Sequence, residues 1–360
     1  MAMLTFQGVG ITAMAGAVPK RVINNYEYTE FFPADQVKEV VDKVGVFERR
    51  FADENTCSSD LCYAAANRLI KDNNIDRNEI DLLIFLSQTP DYRMPATSII
   101  LQERLGLPKT CMAFDIQMGC AGFCYALSVA YSMMQNGNFN KALILDGETR
   151  SKVYSPRDRR SAFIFGDAGV AALIEKNDVF KKSWFSINSD GSLYDLIMIK
   201  GGGYRNPSSP ETLTEKVVDE YGNMRSDEHG YMRGGDVFNF VIREIPRNIK
   251  HTLEVSGVDK DSIDYIVFHQ ANNFINSYIA KKMKLDNSKI PHTIEKFGNT
   301  SSVSVPITII SELKDKLDGD KLLLLSAFGV GMSWATGIVP FHNCRISDIV
   351  EVENGNPIED

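Results

Sequence analysis

No stretch of apolar residues in these 360 residues is long enough to span a bilayer. Basic residues are in the minority, 39 Lys and Arg against 47 Asp and Glu, for a net charge of −8. A general nucleic-acid binder needs a basic footprint, so that class is set aside, although a small basic patch for an acidic partner remains compatible. The segment Met1 to Ala17 lacks a basic stretch followed by a long apolar run, so no signal peptide is read and the cytoplasm is the expected compartment. The six cysteines, Cys57, Cys62, Cys111, Cys120, Cys124 and Cys344, match no zinc ribbon or finger spacing. They are expected to be reduced, and no metal site is expected. There is no long linker and no low-complexity block.

What is there is an ordinary globular composition, 44% hydrophobic and 24% charged. Short apolar runs alternate with helix-like segments. Strands are expected at Asp81–Ser87, Cys111–Ile116, Lys141–Asp146, Gly169–Glu175, Tyr265–Phe268, Lys321–Ser326 and Ser333–Val339. Helices are expected at Pro95–Leu105, Ala121–Gln135, Asn272–Lys284 and Ser301–Lys316. The order repeats, and so do residues: the segment from Ile75 to Phe85 aligns with that from Val258 to Phe268 at a constant offset (258 − 75 = 183; 268 − 85 = 183). The period is too long for a solenoid and reads as a duplicated α/β half-domain. The expected division is a first half over 1–180, an excursion over 181–235, a second half over 236–345 and a tail over 346–360. Within the excursion, Ser189 to Arg233 holds Gly201-Gly202-Gly203, Pro207 and Pro210. The glycines do not form a phosphate loop, because no strand enters them and no Lys-Ser/Thr helix start follows.

Four points fall just after expected strands or strand-like pieces, one from the first half and three from the second. Cys120 stands among Gly119, Ala121 and Gly122 at the expected start of a helix. There the helix dipole favours thiolate and a nucleophile is possible, though a small buried hydrophobe fits the segment too. His269 follows the strand Tyr265–Phe268, at the end where open parallel sheets place ligands; a structural histidine is the alternative. Asn299 either caps a helix and makes a turn or donates from its amide. Gly329-Val330-Gly331 is either a tight turn or a pair of backbone donors. Together these residue types suit an acyl group carried on sulfur and an oxyanion held by His and Asn donors.

These motifs resemble the beta-ketoacyl-[acyl-carrier-protein] synthase III family of the thiolase-like superfamily. The match runs through Asp115 to Phe123 (DIQMGCAGF), Phe165-Gly166-Asp167, His269 to Asn272 (HQAN), Gly298 to Ser301 (GNTS) with Val305-Pro306, and Ala327-Phe328-Gly329-x-Gly331. Val44-Gly45-Val46-Phe47-Glu48-Arg49 resembles an early family element, and the whole likeness covers about residues 8 to 340. The resemblance implies two pseudo-duplicated α/β halves in five layers, α-β-α-β-α, and a homodimer. It implies that Cys120 takes an acyl group from acyl-CoA or an acyl carrier. His269 and Asn299 would then stabilise the enolate formed when malonyl on an acyl carrier protein loses CO2. Backbone N–H groups of Cys120 and Gly331 would form the oxyanion hole. Met94, Phe163 and Phe328 would line the acyl pocket, with Met94 entering that of the neighbouring subunit, and Lys281 and Lys282 would dock the carrier. No cofactor is implied beyond the CoA or phosphopantetheine thioester of the substrate. The chain departs from the family where a Trp and an Arg grip CoA, having Glu39 and Lys43, and where an Arg follows HQAN, having Phe274. A carrier-bound or branched acyl donor is therefore expected. Two further readings are an acyltransferase of the same fold that uses an alcohol or amine acceptor, and a non-catalytic acyl-binding subunit.

Overall fold

A computed structural model describes residues 3–358. Two sheets form its frame. In the first, the central strands run in the order Val9–Pro19, Asp167–Lys176, Lys141–Thr149, Leu82–Leu86, Met112–Ile116. In the second the order is Met3–Phe6, Ser183–Ser189, Ser333–His342, Asp320–Gly329, Tyr265–Phe268. Each sheet contains the same four-strand pattern of two antiparallel pairings followed by a parallel one. The strands Leu82–Leu86 and Tyr265–Phe268 occupy matching places and start 183 residues apart (265 − 82), the offset of the sequence repeat.

The helices fall into three layers. Gly122–Asn136 and Ser304–Leu313 lie between the sheets, touching strands of both. That position suits their sequences: Gly122, Ala126, Ala130 and Leu127 on one helix and Val305, Ile307, Ile309 and Ile310 on the other are all buried, and a helix apolar on most faces must be covered on most faces. Ser58–Asp72 and Thr97–Arg104 cover the outer face of the first sheet, and Gly234–Ser256 and Asn273–Met283 that of the second. The result is the five-layered thiolase-like arrangement.

Three boundaries differ from those read in the sequence. Ser183–Ser189 pairs with Ser333–His342 inside the second sheet, so the second half begins there and not at 236. Residues 345–346 and 350–353 extend the first sheet beside Val9–Pro19, so 346–360 is not a free tail. The expected helix Ser301–Lys316 has a regular α-helical part only over Ser304–Leu313, with 3-10 turns at either end. The 23-residue helix Gly234–Ser256 was hidden by its glycine start and by Pro246 within it.

Candidate active site

Strand ends bring the chemistry together. Cys120 follows Met112–Ile116, His269 follows Tyr265–Phe268, Gly329 ends Asp320–Gly329, and all sit at carboxyl ends of parallel strands, where such sheets open a crevice. Asn299 arrives from the turn before Ser304–Leu313. A bridge between Phe165 and Asn299 ties that turn to the first half, with Asn299 N–H donating to Ile164 O at 2.9 Å. Only glycine permits this approach: a Cβ on Gly166 would lie 2.2 Å from Phe297 O, and one on Gly298 2.6 Å from Ile164 O.

Cys120, His269, Asn299 and Phe328 line one cavity of about 130 Å³. All four are nearly enclosed. Asn299 Oδ1 accepts the Ser301 N–H at 2.9 Å, which commits the oxygen and leaves the amide NH2 as the group offered to the cavity. His269 is fixed by its own N–H to Ser326 O, 2.9 Å, and by Asn276 Nδ2, which donates to His269 O at 3.1 Å. Its Nδ1 lies 2.6 Å from Ser304 Oγ, which itself accepts the Gln270 N–H at 3.4 Å. The Ser301 carbonyl is a second acceptor beside the ring, and with Ser304 donating to Nδ1 the ring proton stands on Nε2. Burial pushes the His269 pKa down to about 3, so the imidazole is neutral at physiological pH.

That burial has a sign that can be measured. The unfolded chain takes up a proton on this histidine near its ordinary pKa of about 6.5, while the folded chain does so only near 3. The unfolded state binds more protons between those values, so the His269 contribution to stability is full above pH 6.5 and is lost as pH falls toward 3. Urea unfolding of wild type and His269→Gln at pH 7 and pH 5 is expected to show the stability difference moving by about 2 kcal/mol against the wild type at pH 5. An unchanged difference would mean that the imidazole is not held neutral.

The thiol behaves differently from the sequence-based expectation. The helix starts at Gly122, two residues beyond Cys120. Burial pushes the Cys120 thiol up from its ordinary value, while Arg150, a hydrogen bond with Ser301 and the Val330 N–H pull it down. The backbone donor at the sulfur is therefore Val330. Gly331 is exposed and absent from the cavity wall, whereas Gly329 and Val330 form part of it. Gly329 lies tight against Cys120: an added Cβ would sit 2.7 Å from both Cys120 Cβ and Sγ. Gly329→Ala is expected to slow acylation of Cys120 at least about tenfold, followed by intact mass over time, because displacement by even a fraction of an ångström spoils attack geometry.

One other expectation needs correction. Phe163 is fully buried, but in a separate cluster with Val37, Val41 and Ala162, because the chain turns it away from the cavity that Ile164 and Phe165 line. Met94 does not line the cavity of its own chain; it is 75% exposed. Lys281 and Lys282 are exposed in the last turn of Asn273–Met283, with Lys282 Nζ donating to Ile242 O at 2.7 Å. Glu39 and Lys43 lie on the exposed face of Ala34–Val44.

Several motif residues turn out to hold the frame. Asp115 accepts the N–H groups of Thr97 and Ser98 at 2.8 Å each, capping a helix start. Asp167 accepts N–H groups from Ala52 and Ser151, and burial raises its pKa to about 6. Arg49 donates to Asn25 Oδ1 and to Phe165 O, clamping the loop beside Asn299. Sequence reasoning missed Arg150 and Tyr154, which share the cavity with Cys120, and Phe165, whose ring stacks on Tyr154 at 3.9 Å. It also missed the chamber of about 800 Å³ that Lys200, Arg225 and Arg233 of the excursion form with Arg160; this chamber shares Met232 and Gly234 with the catalytic cavity. No helix among the described residues is long and apolar enough to cross a membrane.

Comparison with known proteins adds the family. The description 3-Oxoacyl-[acyl-carrier-protein (ACP)] synthase III fits residues 114–191, and that of the C-terminal part of the same enzyme fits residues 253–341. A beta-ketoacyl-[acyl-carrier-protein] synthase III of Streptococcus pneumoniae is 32% identical, with 91% of this chain and 98% of that protein covered. One from Desulfitobacterium hafniense is 30% identical over 92% of this chain and 97% of its own length. The crystal structure of a 3-oxoacyl-(acyl-carrier protein) synthase from Burkholderia xenovorans LB400 superposes with a TM-score of 0.91 at 37% identity, covering 98% of this chain and 99% of that one. With the cysteine, histidine and asparagine of the motifs gathered at one cavity between two duplicated halves, the chain belongs to the 3-oxoacyl-[acyl-carrier-protein] synthase III family.

Proposed function

We propose that this protein joins an acyl group held on Cys120 to malonyl on an acyl carrier protein, releasing CO2 and a 3-oxoacyl carrier. The observation that carries this reading is the convergence of one thiol and two neutral donors, His269 and Asn299, on a single enclosed cavity. The Cys120 sulfur attacks the donor thioester carbonyl, the C–S bond to CoA or carrier breaks, and the departing thiol takes the proton. The tetrahedral oxyanion is held by the N–H groups of Cys120 and Val330. Malonyl then loses CO2, and the electron pair of the broken C–C bond moves into an enolate whose oxygen accepts from His269 Nε2–H and the Asn299 amide. The enolate carbon attacks the acyl thioester and the Cys120 sulfur departs as thiolate. A neutral imidazole suits this step, since it donates without handing a proton to the enolate carbon.

The donor arm is read as entering past Met232 and Gly234, where the polar chamber meets the cavity. The carrier is read as docking beside Lys281 and Lys282. Phe274, 63% exposed and stacked on Phe238 of the cavity wall, supplies an apolar contact where the family pattern has a cation. Exposed Met94 supports a homodimer in which one copy's methionine reaches the other's pocket.

The test is to supply acyl-CoAs and acyl carriers, then malonyl carrier, and to follow intact mass and CO2 together. Acyl-Cys120, CO2 and a 3-oxo product in sequence are expected. Acylation with malonyl carrier ignored would move the assignment to the acyltransferase reading, and no acylation by any donor would move it to a binding role.

A further inference from the structure

Arg150 is the buried charge that the chemistry above leaves unused. It follows the strand Lys141–Thr149, and its side chain is only 6% exposed beside a fully buried Glu148, Nη1 lying 3.7 Å from Glu148 Oε2. Nη2 donates to Tyr154 OH at 3.1 Å, and Nη1 reaches Gln88 Oε1 at 3.5 Å. Nε is enclosed and has no hydrogen-bond partner. The guanidinium lines the same cavity as Cys120. Gln88 Oε1, which takes the Arg150 bond, also packs close to the residue before Cys120, 2.8 Å from where a Cβ on Gly119 would sit.

Enclosing a guanidinium is costly, and an apolar side chain of similar size would fill the space without that cost. Glu148 does not explain the arrangement by itself. Its carboxylate already accepts from Gln88 N and Thr89 Oγ1, with Ser302 Oγ at 3.5 Å. Nor can the imidazole serve the thiolate as counter-ion, because His269 is neutral. The neighbouring Asp146 is fully buried, and burial raises its pKa well above the usual carboxylate range, as it also raises that of the Tyr154 phenol. The two ionisable side chains of opposite sign that act on the thiol are Arg150, on the cavity wall, and Glu148, whose own pKa burial raises and Arg150 pulls back down. Arg150 is the largest influence pulling the thiol down, ahead of Ser301, and Glu148 opposes it.

We propose that Arg150 is a positioning residue for the nucleophile, the cation in the cavity whose field favours the thiolate form of Cys120, with Glu148 opposing it. The proposal rests on Cys120 as the nucleophile, and it needs neither CO2 release nor a known acyl donor.

The test is the rate of Cys120 alkylation by iodoacetamide against pH. Peptide mass separates it from the partly exposed Cys57. Arg150→Met is expected to raise the midpoint by about one pH unit and to slow alkylation at pH 7 about tenfold. Arg150→Lys is expected to keep most of the wild-type midpoint. Glu148→Gln is expected to lower the midpoint, the opposite of what general damage would do. Where Arg150→Met leaves Glu148 buried and unpaired and fails to fold, the comparison moves to Glu148→Gln with and without Arg150→Met. Those two proteins differ only in the cation, and the one lacking it should have the higher midpoint. Midpoints agreeing within about 0.3 unit in that pair, or a midpoint raised by Glu148→Gln, overturn the proposal. Because alkylation needs no acyl donor, a protein inert to malonyl carrier would sink the condensing function and leave this test standing.

Discussion

Cys120→Ala is expected to abolish the acyl-enzyme and the 3-oxoacyl product while leaving slow CO2 release from malonyl carrier. No other thiol can take over. Cys124 lies two residues into the central helix, fully enclosed, with its pKa pushed up to about 12 by burial. Cys57 stands at the start of Ser58–Asp72, away from the cavity wall. Decarboxylation asks only for an oxyanion site, and His269 and Asn299 are untouched by the substitution. Intact mass after incubation with the best donor should show no adduct, and a CO2 assay with malonyl carrier alone should still give a signal. An adduct persisting in the variant would place the acyl group on another residue.

The meeting of Cys120, His269 and Asn299 at one cavity was legible in the sequence because it rests on local patterns. Each of Cys120, His269 and Asn299 sits in a short segment beside a small-residue turn, and the 183-residue repeat indicated that strand ends from two halves would meet. The residues that set electrostatics were not legible in that way. Arg150 reads as one charge among many in Glu148-Thr149-Arg150-Ser151-Lys152. Nothing local reveals that Glu148 and Arg150 are buried while Lys152 reaches outward to the carbonyls of Glu54 and Thr56. Likewise the thiol's shift could not be read from the helix start alone, because desolvation is a property of the closed cavity and outweighs a dipole that begins two residues later.

Fold boundaries failed for a related reason. Ser183–Ser189 (SWFSINS) has four polar residues in seven and no regular alternation, and its place inside the second sheet comes from pairing on both sides, with Met3–Phe6 and with Ser333–His342. Those partners are more than 140 residues away in each direction (183 − 6 = 177; 333 − 189 = 144). Phe163 shows the limit of composition as a guide to a pocket: its neighbours Ile164 and Phe165 line the cavity, and only the local turn decides which of three apolar residues faces inward.

The sharpest division of labour is expected from the two donors. His269→Ala and Asn299→Ala should each cut CO2 release and condensation by about 10²–10³, the loss typical of removing one preorganised oxyanion donor, or about 3–4 kcal/mol. Acylation of Cys120 should stay within about tenfold of wild type, because its oxyanion is served by the N–H groups of Cys120 and Val330. The pattern is thus the reverse of that expected for Cys120→Ala. Asn299→Asp separates geometry from chemistry: it keeps the Oδ1 acceptor for the Ser301 N–H yet replaces the amide donor by a carboxylate oxygen, which repels an enolate. It should therefore be at least as impaired as the alanine variant in CO2 release. Asn299→Asp matching wild type would show that the amide does not donate to the oxyanion. The double variant His269→Ala/Asn299→Ala is expected to lose less than the product of the two single losses, since both donors address one oxygen and act as a unit. Single-turnover CO2 release measured alongside the rate of acyl-enzyme formation reads both halves of the argument in one preparation, and a loss shared equally by the two steps would mean that the substitutions disturbed the cavity as a whole.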